Sequence, residues 1–222
     1  MNVSEAVASR RSVRAFLDRP VDIDLLADLI ARAGRAPSGG NLQPWHVHVV
    51  SGDAMDRLRA IMHARLAEAP FGDPPDYQVY PQPLGSPYRD RRFAVGEAMY
   101  ASLGIPREDK AARLRWFAAN WQFFGAPVGL FCTLRRDHGP PQWSDCGMFL
   151  QTLMLLLREA GLDSCAQEAW SVHHATVRDF LEIPGEQLLF TGMAIGFRDP
   201  DAPINRFPVE RAPLAEWASF HG

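Results

Sequence analysis

The chain has 222 residues, of which 47% are hydrophobic and 22% charged, and its formal net charge is −3. This length and composition fit one globular domain with its own core, and they exclude a disordered chain. The absence of a basic excess argues against a nucleic-acid-binding protein.

Cysteine usage and hydropathy limit where the protein works. Cys132, Cys146 and Cys165 are widely spaced and form no CxxC pair, so neither a disulfide framework nor a zinc site is expected. The N-terminus lacks the apolar segment of a signal peptide. The longest apolar stretch, Met148 to Leu157, is too short to span a bilayer. We therefore expect a cytoplasmic protein that does not enter a membrane.

Hydrophobic periodicity predicts nine elements, with two helices before the first strand and long helices between the strands. This order favours an α+β fold in which helices surround a central mixed or antiparallel sheet. In chain order the elements are helices 2–9 and Asp22–Ala33, strand Trp45–Val50, helices Asp53–Ala67 and Arg107–Phe124, strand Pro127–Leu134, helices Ser144–Ala160 and Ser171–Leu181, and strand Leu188–Phe197.

Two segments lack such periodicity. Residues 70–92 contain six prolines with Tyr77, Tyr80 and Tyr88 between them, which is typical either of a lid or of a plain disordered insertion. The tail from Asp199 to Gly222 carries several prolines and is expected to run extended over a surface. We interpret residues 1–222 as a single domain in which residues 70–110 form a substrate-facing lid or insertion.

A cluster of arginines follows the first predicted helix. Arg10, Arg11 and Arg14, with Ser12 between them, place three guanidinium groups and a hydroxyl within five residues. Guanidinium groups form forked hydrogen bonds with phosphate, so the cluster indicates an anion site. The alternative is a solvated basic surface.

The loop of residues 36–46 combines small residues with amides. Gly39 and Gly40 allow a ligand to approach the backbone closely, while Asn41 and Gln43 supply donors and acceptors. Trp45 opens the following strand and is expected to pack in the core. Taken by itself, the loop is equally compatible with a binding loop and with a surface turn.

Together these segments resemble the nitroreductase family of flavoproteins. The resemblance rests on the sequence RRSVR at residues 10–14 and on APSGGNLQPWHV at residues 36–47. Residues 161–170 and 192–197, followed by the proline-bearing tail, are similar to that family as well. The similarity is weakest over residues 70–110.

The resemblance implies an FMN site made by both subunits of a homodimer. Arg10, Arg11, Ser12 and Arg14 would contact the phosphate, the ribityl chain and the ring edge. Pro37, Ser38 and Gly39, with Asn41 nearby, would approach the same flavin from the partner subunit. Gln167, Glu168 and Ala169 would lie along the isoalloxazine near N5, Asp145 would lie near the pyrimidine, and Arg211 or Arg206 would close over the phosphate.

The family also implies a nitroreductase-like fold whose C-terminal tail extends over the partner subunit. Family members often carry proline and glycine beside the glutamate that corresponds to Glu168, whereas this chain has Ala166 and Ala169. The flavin N5 carries the chemistry, so no catalytic protein residue is expected. A ping-pong cycle follows, in which NAD(P)H reduces the flavin and a small electron-poor acceptor, such as a nitroaromatic or a quinone, reoxidises it.

Several alternatives stay open at this point. The same fold could serve a dehalogenase, an enoate reductase, a biosynthetic dehydrogenase or a non-catalytic flavin-binding protein. The arginines could also make only salt bridges in a dimeric protein without flavin. His46 and His48 share a strand face but lack a third ligand, so no metal site is expected. The aromatic run from Trp116 to Phe124 indicates a core or a dimer interface rather than a substrate cage.

Overall fold

The computed structural model describes all residues, 1–222, as seven α-helices around a four-stranded antiparallel sheet. The sheet order is β1-β2-β4-β3, so β2 and β4 are central and β3 is an edge strand. The helices are α1 Val3–Ser9, α2 Ile23–Ala33, α3 Gly52–Glu68, α4 Tyr88–Ser102, α5 Lys110–Ala118, α6 Pro140–Glu159 and α7 His174–Leu181, and the strands are β1 His46–Ser51, β2 Val128–Arg135, β3 Asp163–Gln167 and β4 Gln187–Gly196.

The sheet separates two hydrophobic cores. One core joins α2 and α6 to the sheet through residues such as Leu29, Leu130 and Phe149. The other joins α3, α7 and two 3₁₀ turns to the opposite face through Leu58 and Phe131. Because side chains alternate along a strand, β2 contributes to both cores and is buried along nearly its whole length. The predicted α+β layering is therefore confirmed, and the sheet is purely antiparallel.

Two elements have no counterpart in the sequence prediction. Helix α4 occupies part of the segment predicted to be irregular, and it contains no buried residue, so its sequence carries no apolar stripe. Strand β3 is short and buries polar residues, which β-propensity does not favour. Its Asp163 carboxylate is buried because Arg198 binds it through two nitrogens at 2.6 and 2.7 Å and Arg158 binds it at 3.0 Å.

The predicted helix Arg107–Phe124 is wrong at both ends. Asp109 accepts a hydrogen bond from the Ala112 amide at 2.9 Å, so α5 begins at Lys110. The helix ends at Ala118, and a 3₁₀ turn over Ala119–Gly125 follows, in which Phe123 and Phe124 adopt φ angles of 51° and 52°. Residues that carry a Cβ rarely adopt such angles, so two successive phenylalanines in the sequence do not predict this turn.

Smaller differences have simple reasons. Helix α6 begins at Pro140 rather than Ser144, because proline is favourable in the first turn, where its missing N–H is not needed. Trp45 stacks on Phe149 with ring centroids 5.0 Å apart, as its predicted core position requires. The tail contains two 3₁₀ turns and buries Ile204 and Asn205, so it does contribute to the interior. No helix combines the length and the apolar character that a bilayer crossing demands.

Candidate functional site

The arginine segment lies in extended conformation beside the edge strand β3. Ser12 forms a parallel bridge with Ser164, and the Val13 amide donates to the Ser164 carbonyl at 3.0 Å. Val13 is buried, with 1% of its surface exposed. Since successive side chains of an extended segment point to opposite sides, Ser12 and Arg14 face away from the interior into which Val13 packs.

Asn205 of the tail fixes the same segment from the other side. Its Oδ1 accepts a hydrogen bond from the Arg14 amide at 2.9 Å, and its Nδ2 donates to the carbonyls of Ala15 and Asp199 at 2.8 and 2.9 Å. Asn205 is buried, so water does not compete for these hydrogen bonds. The Arg14 backbone is therefore held independently of its side chain.

A pocket of about 530 Å³ opens between the arginine segment, α4 and the tail. We call it the arginine pocket. Its polar lining consists of basic and neutral groups, and it contains no carboxylate. The lining residues are Val7, Ala8, Arg10, Arg11, Ser12, Arg14, Val95, Ile204, Asn205, Phe207, Val209 and Arg211.

The four arginines of this pocket have no carboxylate within 4.0 Å, whereas ten other arginines of the chain do. Within the pocket, Arg14 and Arg211 donate only to backbone carbonyls. Four positive charges without a counter-charge repel one another, and a bound anion would offset this repulsion. The geometry is therefore that of an anion site.

The two tail arginines differ in their surroundings. Arg211 lines the arginine pocket. Arg206 instead folds back, with Nε donating to the Pro200 carbonyl at 2.8 Å and Nη2 pairing with Asp201 at 3.0 Å. Of the two, only Arg211 is placed to face an anion there.

The loop of residues 37–43 is not part of the lining of the arginine pocket. The Gly39 amide donates to Asp145 Oδ2 at 3.2 Å, and the Gln43 amide donates to Ser38 Oγ at 3.0 Å. The structure thus brings Asp145 together with this loop, which has left-handed backbone angles at Gly40 and Asn41. Pro37, Ser38, Gly39 and Asn41 do not line the arginine pocket of their own chain.

The third expected group stands where β3 ends and a 3₁₀ turn begins. Gln167 is buried, and its Nε2 donates to the Asn120 carbonyl at 2.8 Å and to Asn120 Oδ1 at 3.2 Å. The Ala169 carbonyl accepts from Trp121 Nε1 at 3.2 Å. Glu168, between them, is exposed. Strand β3 thereby connects the arginine segment, which pairs with Ser164, to this group.

Cys165 of the same strand lies close enough to the arginine segment for its charges to act on the thiol. Burial raises the pKa of its thiol above the usual range, and the nearby charges of Arg14 and Arg10 act in the opposite direction. The thiol is therefore neutral, and it offers no nucleophile to the site.

Part of the segment predicted to be a lid is anchored to the body. The Asp73 carboxylate binds Arg65 at 2.8 Å and the Ala175 amide at 3.1 Å. Asp76 forms a two-point ion pair with Arg136 at 2.9 Å. The Tyr77 hydroxyl donates to the Phe190 carbonyl, and burial raises the pKa of Tyr77 to about 12.

The structure contains no cluster of three or more histidine, cysteine or acidic side chains that could hold a metal ion. Sequence reasoning missed other residues of the site. Asn205 lies in the tail, for which the sequence predicts only extended chain, and Val95 lies on α4, which the sequence does not predict. Asn120 and Trp121 belong to the aromatic run, which indicates a core or a dimer interface. Only their long-range hydrogen bonds connect them to the site.

Known proteins share both the sequence and the fold. The profile of the nitroreductase family matches residues 7–197. Nitrobenzene nitroreductase of Ectopseudomonas oleovorans is 36% identical over 218 residues, which is 98% of this chain and 96% of the relative. The chain therefore belongs to the nitroreductase family, and its fold is nitroreductase-like, as predicted.

Two solved structures extend this comparison. The FMN and NADPH-dependent nitroreductase NfnB from Sphigopyxis sp. strain HMH superposes with a TM-score of 0.97 at 52% identity, and both chains are covered completely. The FMN-dependent nitroreductase NfnB from Mycobacterium smegmatis, solved in complex with NADPH, gives a TM-score of 0.93 at 31% identity over both complete chains.

Proposed function

We propose that this chain is an FMN-dependent oxidoreductase that uses NAD(P)H to reduce nitroaromatic compounds or similar electron-poor acceptors. The observation that carries the proposal is the arginine pocket, in which four guanidinium groups lack a carboxylate partner. The nitrobenzene substrate in the name of the Ectopseudomonas relative, and the FMN and NADPH in the titles of the two NfnB structures, support the same reaction.

The residues of the pocket fit the phosphate end of FMN. A phosphate monoester carries up to two negative charges and accepts several hydrogen bonds, and arginine supplies matching forked donors. The volume of about 530 Å³ falls within the range of about 300–1,000 Å³ that is typical of small-molecule sites. Apolar side chains such as Val95 and Phe207 complete the wall.

In this proposal each group of residues has a separate task. Arg10, Arg11, Arg14 and Arg211 bind the phosphate, while Ser12 lies beside the ribityl chain. The segment Gln167–Ala169 lies along the ring system. When bound, FMN supplies the redox chemistry, so the protein needs no nucleophile. The chain's own contribution is to bind, orient and shield the reacting partners.

The proposal includes a homodimer. Pro37, Ser38, Gly39, Asn41 and Asp145 would complete the site of the partner subunit, and the tail would extend over that subunit. Support comes from the separation of this loop from the arginine pocket of its own chain. Exposed apolar side chains give further support, among them Leu42 at 59% and Leu114 at 60% exposure.

Two finer points belong to the same proposal. Residues 78–87, which follow the anchored stretch 73–77, would act as the lid over the acceptor. A cytoplasmic location agrees with three cysteines that are all unpaired.

An anaerobic absorption experiment tests the function. Purified protein saturated with FMN should show the oxidised flavin bands, and these should bleach when NADPH or NADH is added. Nitrobenzene or 4-nitrobenzoate should then restore the bands. Bound flavin that neither nicotinamide reduces would contradict the enzyme proposal and favour a flavin-binding protein. Protein that takes up no FMN would contradict the proposed cofactor.

A further inference from the structure

Two neighbouring residues of the 3₁₀ turn Ala119–Gly125 form hydrogen bonds with the first and last residues of the segment Gln167–Ala169. Asn120 accepts two hydrogen bonds from Gln167 Nε2, at 2.8 Å through its carbonyl and at 3.2 Å through Oδ1. Trp121 Nε1 donates to the Ala169 carbonyl at 3.2 Å. The bonds cross 47 and 48 positions of sequence, so they are purely tertiary.

The orientation of these amides is determined by their neighbours. Asn120 Nδ2 donates to the Phe117 carbonyl at 2.8 Å, so Oδ1 is the atom that faces Gln167. Both atoms that Asn120 presents to Gln167 are therefore acceptors, and Gln167 must turn its Nε2 donor toward them. The Gln167 side chain is consequently held in one orientation, with 3% of the residue exposed.

The turn itself is rigid. Phe123 and Phe124 have φ angles of 51° and 52°, a conformation that side chains disfavour and that persists only where packing imposes it. The Phe123 ring lies directly on Gly129 of β2, where an added Cβ would come within 2.4 Å of the ring. Trp121 is 2% exposed and packs edge-on against the rings of Phe117 and His173.

We propose that Trp121 and Asn120 are positioning residues that fix the backbone of Gln167–Ala169 for the redox reaction. The inference rests on the proposed function, which places this segment along the flavin. Trp121 holds the Ala169 carbonyl, and Asn120 holds the side chain of Gln167, whose backbone is paired with Gly192 in the sheet. The two peptide planes between Gln167 and the Ala169 carbonyl therefore have little freedom. These planes carry the amides of Glu168 and Ala169, which open a 3₁₀ turn and have no partner within it.

Such fixation matters because hydrogen bonds weaken steeply as donor angles depart from linearity. A backbone amide aimed in advance at a reacting ring loses no energy to reorientation during the reaction. A segment with the alanines Ala166 and Ala169 around Gln167 and Glu168 has ordinary backbone freedom of its own. The turn supplies the restraint that the segment lacks.

The test compares Trp121→Phe with Trp116→Phe. The first removes the indole N–H and keeps an aromatic ring. The second is a matched control, because Trp116 packs on Phe124 of the same turn, with centroids 5.8 Å apart, and has no hydrogen bond to the segment. We expect the rate of flavin bleaching at saturating NADPH to fall about tenfold in Trp121→Phe alone, the scale of one hydrogen bond.

Two further readouts separate positioning from general damage. The Kd of FMN should change less than about threefold, because the phosphate contacts are untouched. Hydrogen exchange in the flavin-free protein should accelerate at residues 167–170 and stay unchanged in β2. Asn120→Ala provides a second variant should Trp121→Phe fold poorly, with a smaller loss of about threefold because the Asn120 carbonyl still accepts from Gln167.

The outcomes are distinct. Wild-type bleaching rates in both Trp121→Phe and Asn120→Ala, or an equal loss in Trp116→Phe, would overturn the positioning role. Unchanged hydrogen exchange at residues 167–170 would overturn it as well. A wild-type protein that binds no FMN would instead contradict the proposed function, while the exchange experiment would still decide the positioning role.

Discussion

At the scale of single residues, the arginines of this chain fall into groups with opposite electrostatic surroundings. Arg206 pairs with Asp201, and Arg136 pairs with Asp76. Arg10 and Arg14 face a pocket without any acid. An arginine that already has a carboxylate partner gains little from a further anion, whereas an unpaired arginine gains a charged hydrogen bond. The distinction predicts which side chains contribute to FMN binding.

Replacing Arg14 or Arg211 by alanine should weaken FMN binding by about 1.5–3 kcal/mol, the scale of a hydrogen bond to a charged group. Isothermal titration of the flavin-free protein measures the Kd directly. The Arg14 backbone should stay in place, because Asn205 holds its amide. Arg206→Ala is the control and should leave the Kd within about threefold of wild type. Full flavin retention by Arg14→Ala at low FMN would refute the clamp.

His173 leads to a prediction on pH. The ring is fully buried, and both of its nitrogens lack hydrogen-bond partners. Burial lowers the pKa of His173 below its usual value, Arg65 lowers it further, and Asp73 opposes both. Since the unfolded chain binds this proton more readily, the free energy of unfolding should fall as pH drops below about 6.5, by at most about 1.4 kcal/mol per pH unit.

Urea unfolding at pH 7.5 and pH 5.5 tests this prediction. His173→Phe keeps an aromatic ring against Trp121 and should show a smaller loss of stability between the two pH values than wild type. His221→Phe, at an exposed position in the tail, is the control and should keep the wild-type difference. If wild type and His173→Phe lost equal stability between the two pH values, protonation of His173 would not contribute to the pH dependence of unfolding.

At the scale of elements, the proline-rich segment divides into parts with different physical roles. Residues 73–77 are tied to the body by two ion pairs and by the Tyr77 hydroxyl. Residues 78–87 are largely exposed, and α4 then contributes Val95 to the arginine pocket. The prediction of a lid therefore narrows to residues 78–87.

A pair of tyrosine variants tests this division. Tyr80→Ala, at a side chain that is 43% exposed, should leave the free energy of unfolding within about 0.5 kcal/mol of wild type and raise the KM of nitroaromatic acceptors severalfold. Tyr77→Phe should instead cost about 1 kcal/mol of stability, because it removes a buried hydrogen bond. Steady-state kinetics with Tyr80→Ala that match wild type would rule out a lid role for that side chain.

At the scale of the whole molecule, the expected site residues form two groups, and the second group does not line the arginine pocket of its own chain. The arginine pocket lies beside β3, and the loop of residues 37–43 lies with Asp145 on α6. Light scattering should therefore give a mass twice the 24.8 kDa of one chain. Leu42→Asp, in the exposed loop, should weaken association and flavin retention together, since a charge at an apolar interface is costly to bury.

The two readouts of this last prediction must change in parallel. A monomeric wild-type protein that still binds FMN tightly would contradict a site shared between subunits. Leu42→Asp that dissociates and keeps its flavin would likewise place the complete site on one chain. Leu25→Asp, on the exposed face of α2, serves as a control for the added charge.

The sequence by itself determined the layers of the fold, and it predicted an anion site at the arginine segment. Strands β2 and β4 and helices α2 and α6 were predictable, because their apolar periodicity reports burial directly. The RRSVR and APSGGNLQPWHV segments indicated the family without any structure, since both motifs are local. Burial patterns and local motifs can both be recognised in short stretches of sequence.

Only the tertiary structure decided the features that depend on distant partners. Strand β3 exists with Asp163 buried because Arg158 and Arg198 neutralise that carboxylate. Arg206 and Arg211 were equivalent in sequence, and the Asp201 ion pair separates them. Trp121 reaches Ala169 through one hydrogen bond across 48 positions. No local pattern records such a bond, because its energy arises only when the fold brings donor and acceptor together.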